Sequence, residues 1–169
     1  NPDIGVLIME VMRSIEPAVG YLEAIREKCN KNGIVLIFDE CTSGFRETFG
    51  GIFKKFNVEP DMAMFGKTIG NGYALTAVVG KREVMEAAQK TFISSTFWSE
   101  RIGYVAALAT LEEMQRLESW KKISSTGTKM RQIWKDTFET AGLDIVISGI
   151  PALSALTILN ENGNAIKTL

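Results

Sequence analysis

Apolar runs and helically spaced apolar residues alternate over the first forty or so positions of the chain. Ile4–Val11 is an apolar run with the length of a buried strand. From Pro17, apolar residues recur at helical spacing as far as Gly33, a residue type that commonly ends helices. Ile34–Phe38 is almost wholly apolar and rich in β-branched residues, which favours a strand buried on both faces of a parallel sheet. The pattern therefore predicts a strand–helix–strand unit.

Shorter apolar runs follow, and after them come two long helical patterns. We predict strands at Ala63–Phe65, Thr76–Val79, Asp144–Ser148 and Leu153–Leu159, a short helix at Lys81–Gln89, and strand mixed with loop at 91–100. One long helix is expected to bury a single apolar face, made of Tyr104, Leu108, Leu111, Met114 and Leu117. A second is expected at about 121–141. The change from strands to consecutive helices predicts two domains, 1–115 and 116–169.

Composition and charge limit the kinds of partner that we expect the protein to bind. The chain has 169 residues, 46% hydrophobic and 23% charged, ordinary values for a globular protein. Its 19 basic and 20 acidic residues give a net charge of −1 without a basic cluster, so nucleic acid is not expected as a partner. No apolar run reaches membrane-spanning length and no signal peptide is recognisable, so we expect a cytoplasmic protein without membrane contact. Neither end looks like a natural terminus, and we expect a piece of a longer chain.

The chain contains no histidine, which restricts its chemistry. Catalytic Ser-His and Cys-His pairs and histidine-ligated metal sites are excluded within these residues, and no metal site is predicted. Cys29 and Cys41 do not have the spacing of a ligand pair, and reduced thiols are expected. Chemistry must therefore depend on lysine, carboxylates, hydroxyl groups or a cofactor.

A Gly-Lys-Thr sequence at 66–68 first suggests a nucleotide site, but its surroundings do not fit one. A P-loop needs a glycine five residues before Gly66, and Asp61 occupies that position. A dinucleotide fingerprint that begins at Gly70 would need its third glycine where Leu75 stands. What remains is Lys67, placed between the end of an apolar run and a glycine-rich turn.

Asp39 follows a predicted strand directly, and Lys67 lies just past the end of the next one. Taken alone, Asp39 would be read as a loop or capping carboxylate, and Lys67 as a surface lysine. Because ligands bind at the carboxyl ends of parallel strands, however, the two are expected to face one crevice. Pyridoxal phosphate needs this pair: a lysine that forms an imine with it, and a carboxylate that keeps its pyridine nitrogen protonated so that the ring can accept electrons.

Three stretches resemble the class III pyridoxal-phosphate aminotransferases, and within them glutamate-1-semialdehyde 2,1-aminomutase and its relatives. They are "LIFDECTSGFRETFGG", "PDMAMFGKTIGNGYALTAVVGKREVM" and "SSTFWSERIGYVAALATLEEM". The resemblance implies an α/β type I aminotransferase fold: part of a large, mainly parallel-sheet domain and the start of a small C-terminal domain. It also implies pyridoxal 5'-phosphate as cofactor, a small-molecule amino or oxo substrate, and a homodimer with a shared active site.

Carried over by position, the resemblance implies a set of site residues. Lys67 matches the Schiff-base lysine and Asp39 the partner of the pyridine nitrogen. Cys41 stands where relatives have a valine against the ring, and Thr42 where they have glutamine or methionine near the ring's 3-hydroxyl. Thr96 matches the threonine that binds the cofactor phosphate of the neighbouring subunit. The family's phosphate loop, ring-stacking aromatic and substrate arginine match nothing in this chain, so no complete site is expected.

Two functions are left open by these residues. The first is amino-group transfer, either as an aminotransferase or as a 2,1-aminomutase. The second is a non-catalytic scaffold or regulatory relative with the same fold. Cys41, Thr42 and the segment from Trp98 to Arg101, where relatives read Gly-Gly-Asn-Pro or Ser-Gly-Asn-Pro, depart from the family pattern and favour the scaffold. Retention of both Asp39 and Lys67 favours the enzyme.

Overall fold

The computed structural model describes residues 3–168, which form two sheets connected by two long helices. The strands are β1 (Val6–Met9), β2 (Val35–Asp39), β3 (Met62–Phe65), β4 (Ala77–Gly80), β5 (Ile145–Ser148), β6 (Ala155–Leu159) and β7 (Ala165–Thr168). The α-helices are α1 (Tyr21–Asn32), α2 (Arg82–Met85), α3 (Ile102–Leu117) and α4 (Ser119–Thr140). Short 3-10 helices lie at Ile52–Lys55, Lys67–Ile69, Glu86–Lys90 and Pro151–Leu153.

The first sheet has the order β1-β2-β3-β4, in which the first three strands are parallel and β4 is antiparallel to β3. The prediction of an α/β fold with a mainly parallel sheet is therefore confirmed, as is the β1–α1–β2 unit. Helix α1 begins at Tyr21 and not at Pro17, because Gly20 just before it adopts a left-handed conformation with φ 81°. It ends where predicted, at Gly33, whose φ of 64° suits glycine.

The two faces of this sheet differ in what covers them. Residues alternate between faces along each strand, and Leu36, Phe38, Ala63 and Phe65 are buried on one face, in the same cluster as Leu22 and Cys29 of α1. The opposite face, which we call the open face, carries the alternate apolar side chains. They are Val6, Ile8, Val35, Ile37, Met62, Met64 and Val78. Val6 and Ile8 are 54% and 56% exposed, so no described element covers that edge of the open face.

Asp61 fixes β3 against β2 at the end of the sheet away from Lys67. Its carboxylate accepts hydrogen bonds from the Leu36 amide (2.8 Å), Arg26 Nη1 (2.9 Å) and Lys81 Nζ (2.7 Å). Burial alone would raise the pKa of Asp61, but these donors hold it below its usual value. The carboxylate that occupies the P-loop glycine position is therefore a structural anchor, and it helps to fix the relative positions of β2 and β3.

Helix α3 packs through small residues, and the predicted apolar face is wrong for its first half. Gly103 and Ala107 are buried, whereas Tyr104 and Leu108 are 54% and 63% exposed. A Cβ atom on Gly103 would lie 2.8 Å from the carbonyl oxygen of Ala74, so the helix approaches the chain before β4 more closely than any larger residue allows. Periodicity alone favoured the large side chains, because it cannot register a contact made by glycine.

The strand predicted within 91–100 is also wrong. Residues 96–99 form a turn, residues 92–95 have no regular secondary structure, and the amide of Phe97 is bonded locally to Ser95 Oγ. Their apolar side chains are mostly exposed, with Phe92 at 94%. No strand of the described chain pairs with the segment, so its β-forming residues lack the partner that a strand needs.

The second sheet has the order β5-β6-β7, all antiparallel. Strands β5 and β6 confirm two predictions, except that β6 begins at Ala155 because Pro151–Leu153 forms a 3-10 turn; β7 was not predicted. The division into domains 1–115 and 116–169 stays a prediction, and residues 1, 2 and 169 lie outside the described residues. Among the described helices, none combines the length and apolar character needed to cross a membrane.

Candidate active site

Asp39 and Glu40 are adjacent in sequence but point to different sides of the sheet. Asp39 ends β2 in register with Met64, so it lies on the open face, and its Oδ1 accepts a hydrogen bond from the Cys41 amide at 3.0 Å. Glu40 continues the pairing through its amide, which donates to the Met64 carbonyl at 2.8 Å, and its side chain is fully buried on the core side. The doublet thus supplies one carboxylate to the crevice and one to the core.

Glu40 holds the loop that follows β2. Its Oε2 accepts from Ser43 Oγ at 2.6 Å and its Oε1 from the Phe53 amide at 3.1 Å. Burial raises the pKa of Glu40, against the opposing effect of its hydrogen bonds, and the nearby charge of Asp39 raises it further. Glu40 is part of the sequence motif, but the motif did not indicate this role. The alternation of side chains along β2, continued by one residue, would have suggested that Glu40 points to the core.

We expect Glu40→Ala to lower the free energy of unfolding of the complete protein by about 3 kcal/mol, because the Phe53 amide and Ser43 would be buried without a partner. Glu40→Gln should recover most of that loss, since its carbonyl can accept from Phe53 and the Ser43 hydroxyl can reverse its bond. Urea denaturation of both variants measures the difference, and exposed Glu59→Gln is the control.

The contribution of Glu40 to the free energy of unfolding changes with pH in a definite direction. A carboxyl whose folded pKa lies above its usual 4.5 binds protons more readily when folded, so its stabilising contribution is complete below 4.5 and is lost as pH rises through the folded pKa. Relative to wild type, Glu40→Gln should therefore gain stability as pH rises through that window. A stability difference that stays constant with pH would contradict this account of Glu40.

Lys67 begins the 3-10 turn directly after β3 and has a left-handed backbone, with φ 45°. Such a conformation is unfavourable for a residue with a Cβ by about 1 kcal/mol or more. Its Nζ donates a hydrogen bond to Thr42 Oγ1 at 2.9 Å. The turn thus brings the lysine amine to the residues that follow β2.

The charges of both Asp39 and Lys67 affect the Cys41 thiol. Burial raises the pKa of the Cys41 thiol, a hydrogen bond with Asp39 and the charge of that carboxylate raise it further, and the positive charge of Lys67 acts in the opposite direction. On the other side, a Cβ atom built on Gly66 would meet Cys41 Sγ at 3.4 Å. Asp39, Cys41, Thr42 and Lys67 therefore form one cluster at the carboxyl ends of β2 and β3.

Thr96 is not placed in that cluster. It lies exposed in the turn of the 91–100 segment. The same segment borders a cleft of about 560 Å³ that is closed on its other side by Tyr73–Thr76 and the start of α3. Neither Asp39 nor Lys67 lines this cleft. Within one chain, then, the predicted phosphate ligand and the predicted lysine belong to different surfaces.

The chemistry of the cluster fits pyridoxal phosphate. An exposed primary amine, a carboxylate at a strand end and a hydroxyl group within hydrogen-bond distance of the amine are the groups that such a cofactor needs for its aldehyde, its ring nitrogen and its ring oxygen. The left-handed backbone of Lys67 is compatible with a functional position, and Phe45, Asn57, Asn71 and Glu118 share that conformation.

Relatives of known activity cover most of the chain. It is 40% identical over 154 residues to 3-aminobutyryl-CoA aminotransferase of Cloacimonas acidaminovorans. The aligned region covers 90% of this chain and 37% of that protein. It is 33% identical over 158 residues to glutamate-1-semialdehyde 2,1-aminomutase of Methanosarcina acetivorans, 89% of this chain and 37% of that protein. The chain thus spans little more than a third of the length of these relatives.

Solved structures share the fold. The FumI protein of Sphingopyxis sp. MTA144, in its PLP internal aldimine form, superposes with a TM-score of 0.90 at 21% identity, covering 95% of this chain and 40% of that one. Ornithine aminotransferase of Plasmodium yoelii superposes with a TM-score of 0.77 at 21% identity, covering 91% and 43%. At this identity the likeness shows the fold, and it confirms the type I arrangement expected from the sequence.

A model of a whole protein family also matches most of the chain. The model for class-III aminotransferases matches residues 6–155, which includes all four residues of the cluster and Thr96. The expected cofactor, pyridoxal 5'-phosphate, is confirmed at the level of this family. The chain belongs to the class-III aminotransferases.

Proposed function

We propose that the protein to which this chain belongs transfers amino groups between small amino and oxo compounds, with pyridoxal 5'-phosphate held covalently by Lys67. The observation that supports this most directly is the cluster at the carboxyl ends of β2 and β3, where the Asp39 carboxylate is bonded to the Cys41 amide and the Lys67 amine is bonded to the hydroxyl of the adjacent Thr42. A scaffold would have no need for a lysine amine and a carboxylate together at that edge of the sheet.

Each residue of the cluster has a separate task. When bound, the cofactor supplies a ring that accepts the electron pair released at the substrate's α-carbon. Asp39 would keep a proton on the ring nitrogen through a charge-assisted hydrogen bond. Cys41 would pack against the ring, a place that a small and polarisable side chain can fill. Thr42 would offer its hydroxyl to the ring oxygen, and Lys67 Nζ would take up and return the α-proton.

We further propose a homodimer in which Thr96 serves the partner's site. Thr96 is exposed on a segment whose aromatic side chains, Phe92, Phe97 and Trp98, are also largely exposed. Exposed apolar clusters of this kind mark interaction surfaces. A hydroxyl on such a surface is a suitable donor to the phosphate of a cofactor bound in the neighbouring subunit.

Borohydride trapping tests the proposal in the complete protein. After loading with pyridoxal phosphate, reduction should fix the cofactor to the peptide that contains Lys67, and an amino donor added beforehand should prevent the labelling. Label on another lysine would overturn the assignment of Lys67. Covalent binding without any spectral response to a broad panel of donors would favour the scaffold instead. Conversion of glutamate 1-semialdehyde to 5-aminolevulinate without a second substrate would identify an aminomutase.

A further inference from the structure

The amine of Lys67 has a single hydrogen-bond acceptor among the described residues, and it is the hydroxyl of Thr42, at 2.9 Å. Within residues 3–168, no carboxylate oxygen lies within ion-pair distance of that amine. An exposed lysine with four rotatable side-chain bonds would otherwise sample many positions. The contact with Thr42 therefore selects one of them.

Thr42 is itself held in place from two directions. Its carbonyl oxygen accepts a hydrogen bond from Arg46 Nε at 2.6 Å, and the adjacent Ser43 is bound to the buried Glu40. Its β-branched side chain has few rotamers. The hydroxyl that meets Lys67 is thus a fixed point on the loop after β2, and not a mobile surface group.

We propose that Thr42 is a positioning residue for Lys67, in addition to any contact with the cofactor; this inference rests on the proposed function. Once a substrate amine had taken the place of Lys67, the freed lysine amine would stay bound to the Thr42 hydroxyl. From there Nζ would accept the α-proton as the C–H bond breaks, and the electron pair of that bond would pass to the cofactor ring. Nζ would later return the proton to the carbon through which the cofactor is joined to the substrate nitrogen, so that protons and electrons balance. Because the hydroxyl acts as an acceptor toward the amine, its own proton remains available for the ring oxygen.

The distinguishing variants are Thr42→Val, which keeps the shape without the hydroxyl, and Thr42→Ser, which keeps the hydroxyl. In the complete protein we expect Thr42→Val to slow α-proton transfer about five- to tenfold, the effect of one lost hydrogen bond. The α-deuterium isotope effect on a single turnover should increase, while KM for the donor changes little. Thr42→Ser should restore the wild-type isotope effect. If Thr42→Val fails to fold, Thr42→Ala replaces it.

A second readout uses the protein without cofactor. Acetic anhydride added in trace amount acetylates each lysine at a rate set by the accessibility and reactivity of its amine. The exposed Lys90 serves as the internal reference. Lys67 should be labelled severalfold faster, relative to Lys90, in Thr42→Val than in wild type or Thr42→Ser. Unchanged labelling together with an unchanged isotope effect would overturn the role of Thr42. If borohydride places the cofactor on a different lysine, the proposed function itself fails, so the two failures are distinguishable.

Discussion

Lys67→Ala should remove covalent cofactor binding and lower kcat for amino-group transfer by about ten-thousandfold, the largest effect expected in this chain. The variant loses both the covalent link and the group that moves the α-proton, and proton transfer alone accounts for up to about that factor. Single-turnover kinetics with an amino donor, together with borohydride trapping, measure the loss. Lys90→Ala, which removes another exposed lysine, should be unaffected. Activity within tenfold of wild type would exclude Lys67 as the essential amine.

A substitution at Lys67 should also raise stability while it removes activity. Because Lys67 has a left-handed backbone, Lys67→Gly should raise the free energy of unfolding of the cofactor-free protein by up to about 1 kcal/mol, whereas Lys67→Ala should leave it nearly unchanged. Both variants should be inactive. A more stable but inactive glycine variant is the signature of a residue whose conformation is kept for function.

Asp39→Asn should lower kcat by about a hundredfold, equivalent to about 3 kcal/mol of transition-state stabilisation, while covalent binding to Lys67 is retained. Asparagine keeps the size and the hydrogen bond from the Cys41 amide but removes the charge that holds a proton on the ring nitrogen. Asp39→Glu should also be poor, because its extra methylene moves the carboxylate into the space of the ring.

The measurement for Asp39 is single-turnover reaction with an amino donor in the complete protein, with cofactor absorbance followed in parallel. Asp144→Asn, at an exposed position before β5, is the matched control and should behave as wild type. If Asp39→Asn reacted at a near wild-type rate, Asp39 would be a structural residue. The cluster would then consist of Cys41, Thr42 and Lys67, without an electrostatic partner for the ring nitrogen.

The sequence predicted the framework of the site because that framework is local. Apolar runs end at Phe38 and at Phe65, and the parallel pairing of β2 with β3 brings both of these ends to the same edge of the sheet. The rule that parallel strands gather their carboxyl ends at one edge was enough to place Asp39 and Lys67 together. The motif that surrounds them then identified the family.

The features that the sequence did not predict depend on backbone conformation and on close contacts between segments. The bond from Lys67 to Thr42 and the left-handed backbone at Lys67 leave no trace in hydropathy. Gly103 was overlooked for a related reason, since a glycine that allows close packing has no side chain to contribute to a periodic pattern. Both kinds of information arise only when distant segments meet.

The open face of the first sheet links self-association to the electrostatics of the site. Val6, Ile8 and Val78 are about half exposed there, and grouped exposed apolar side chains favour contact with further polypeptide. Asp39 lies on that same face. Any polypeptide that packed on these strands would also exclude water from around the carboxylate, and it would thereby strengthen the interaction of Asp39 with a bound cation.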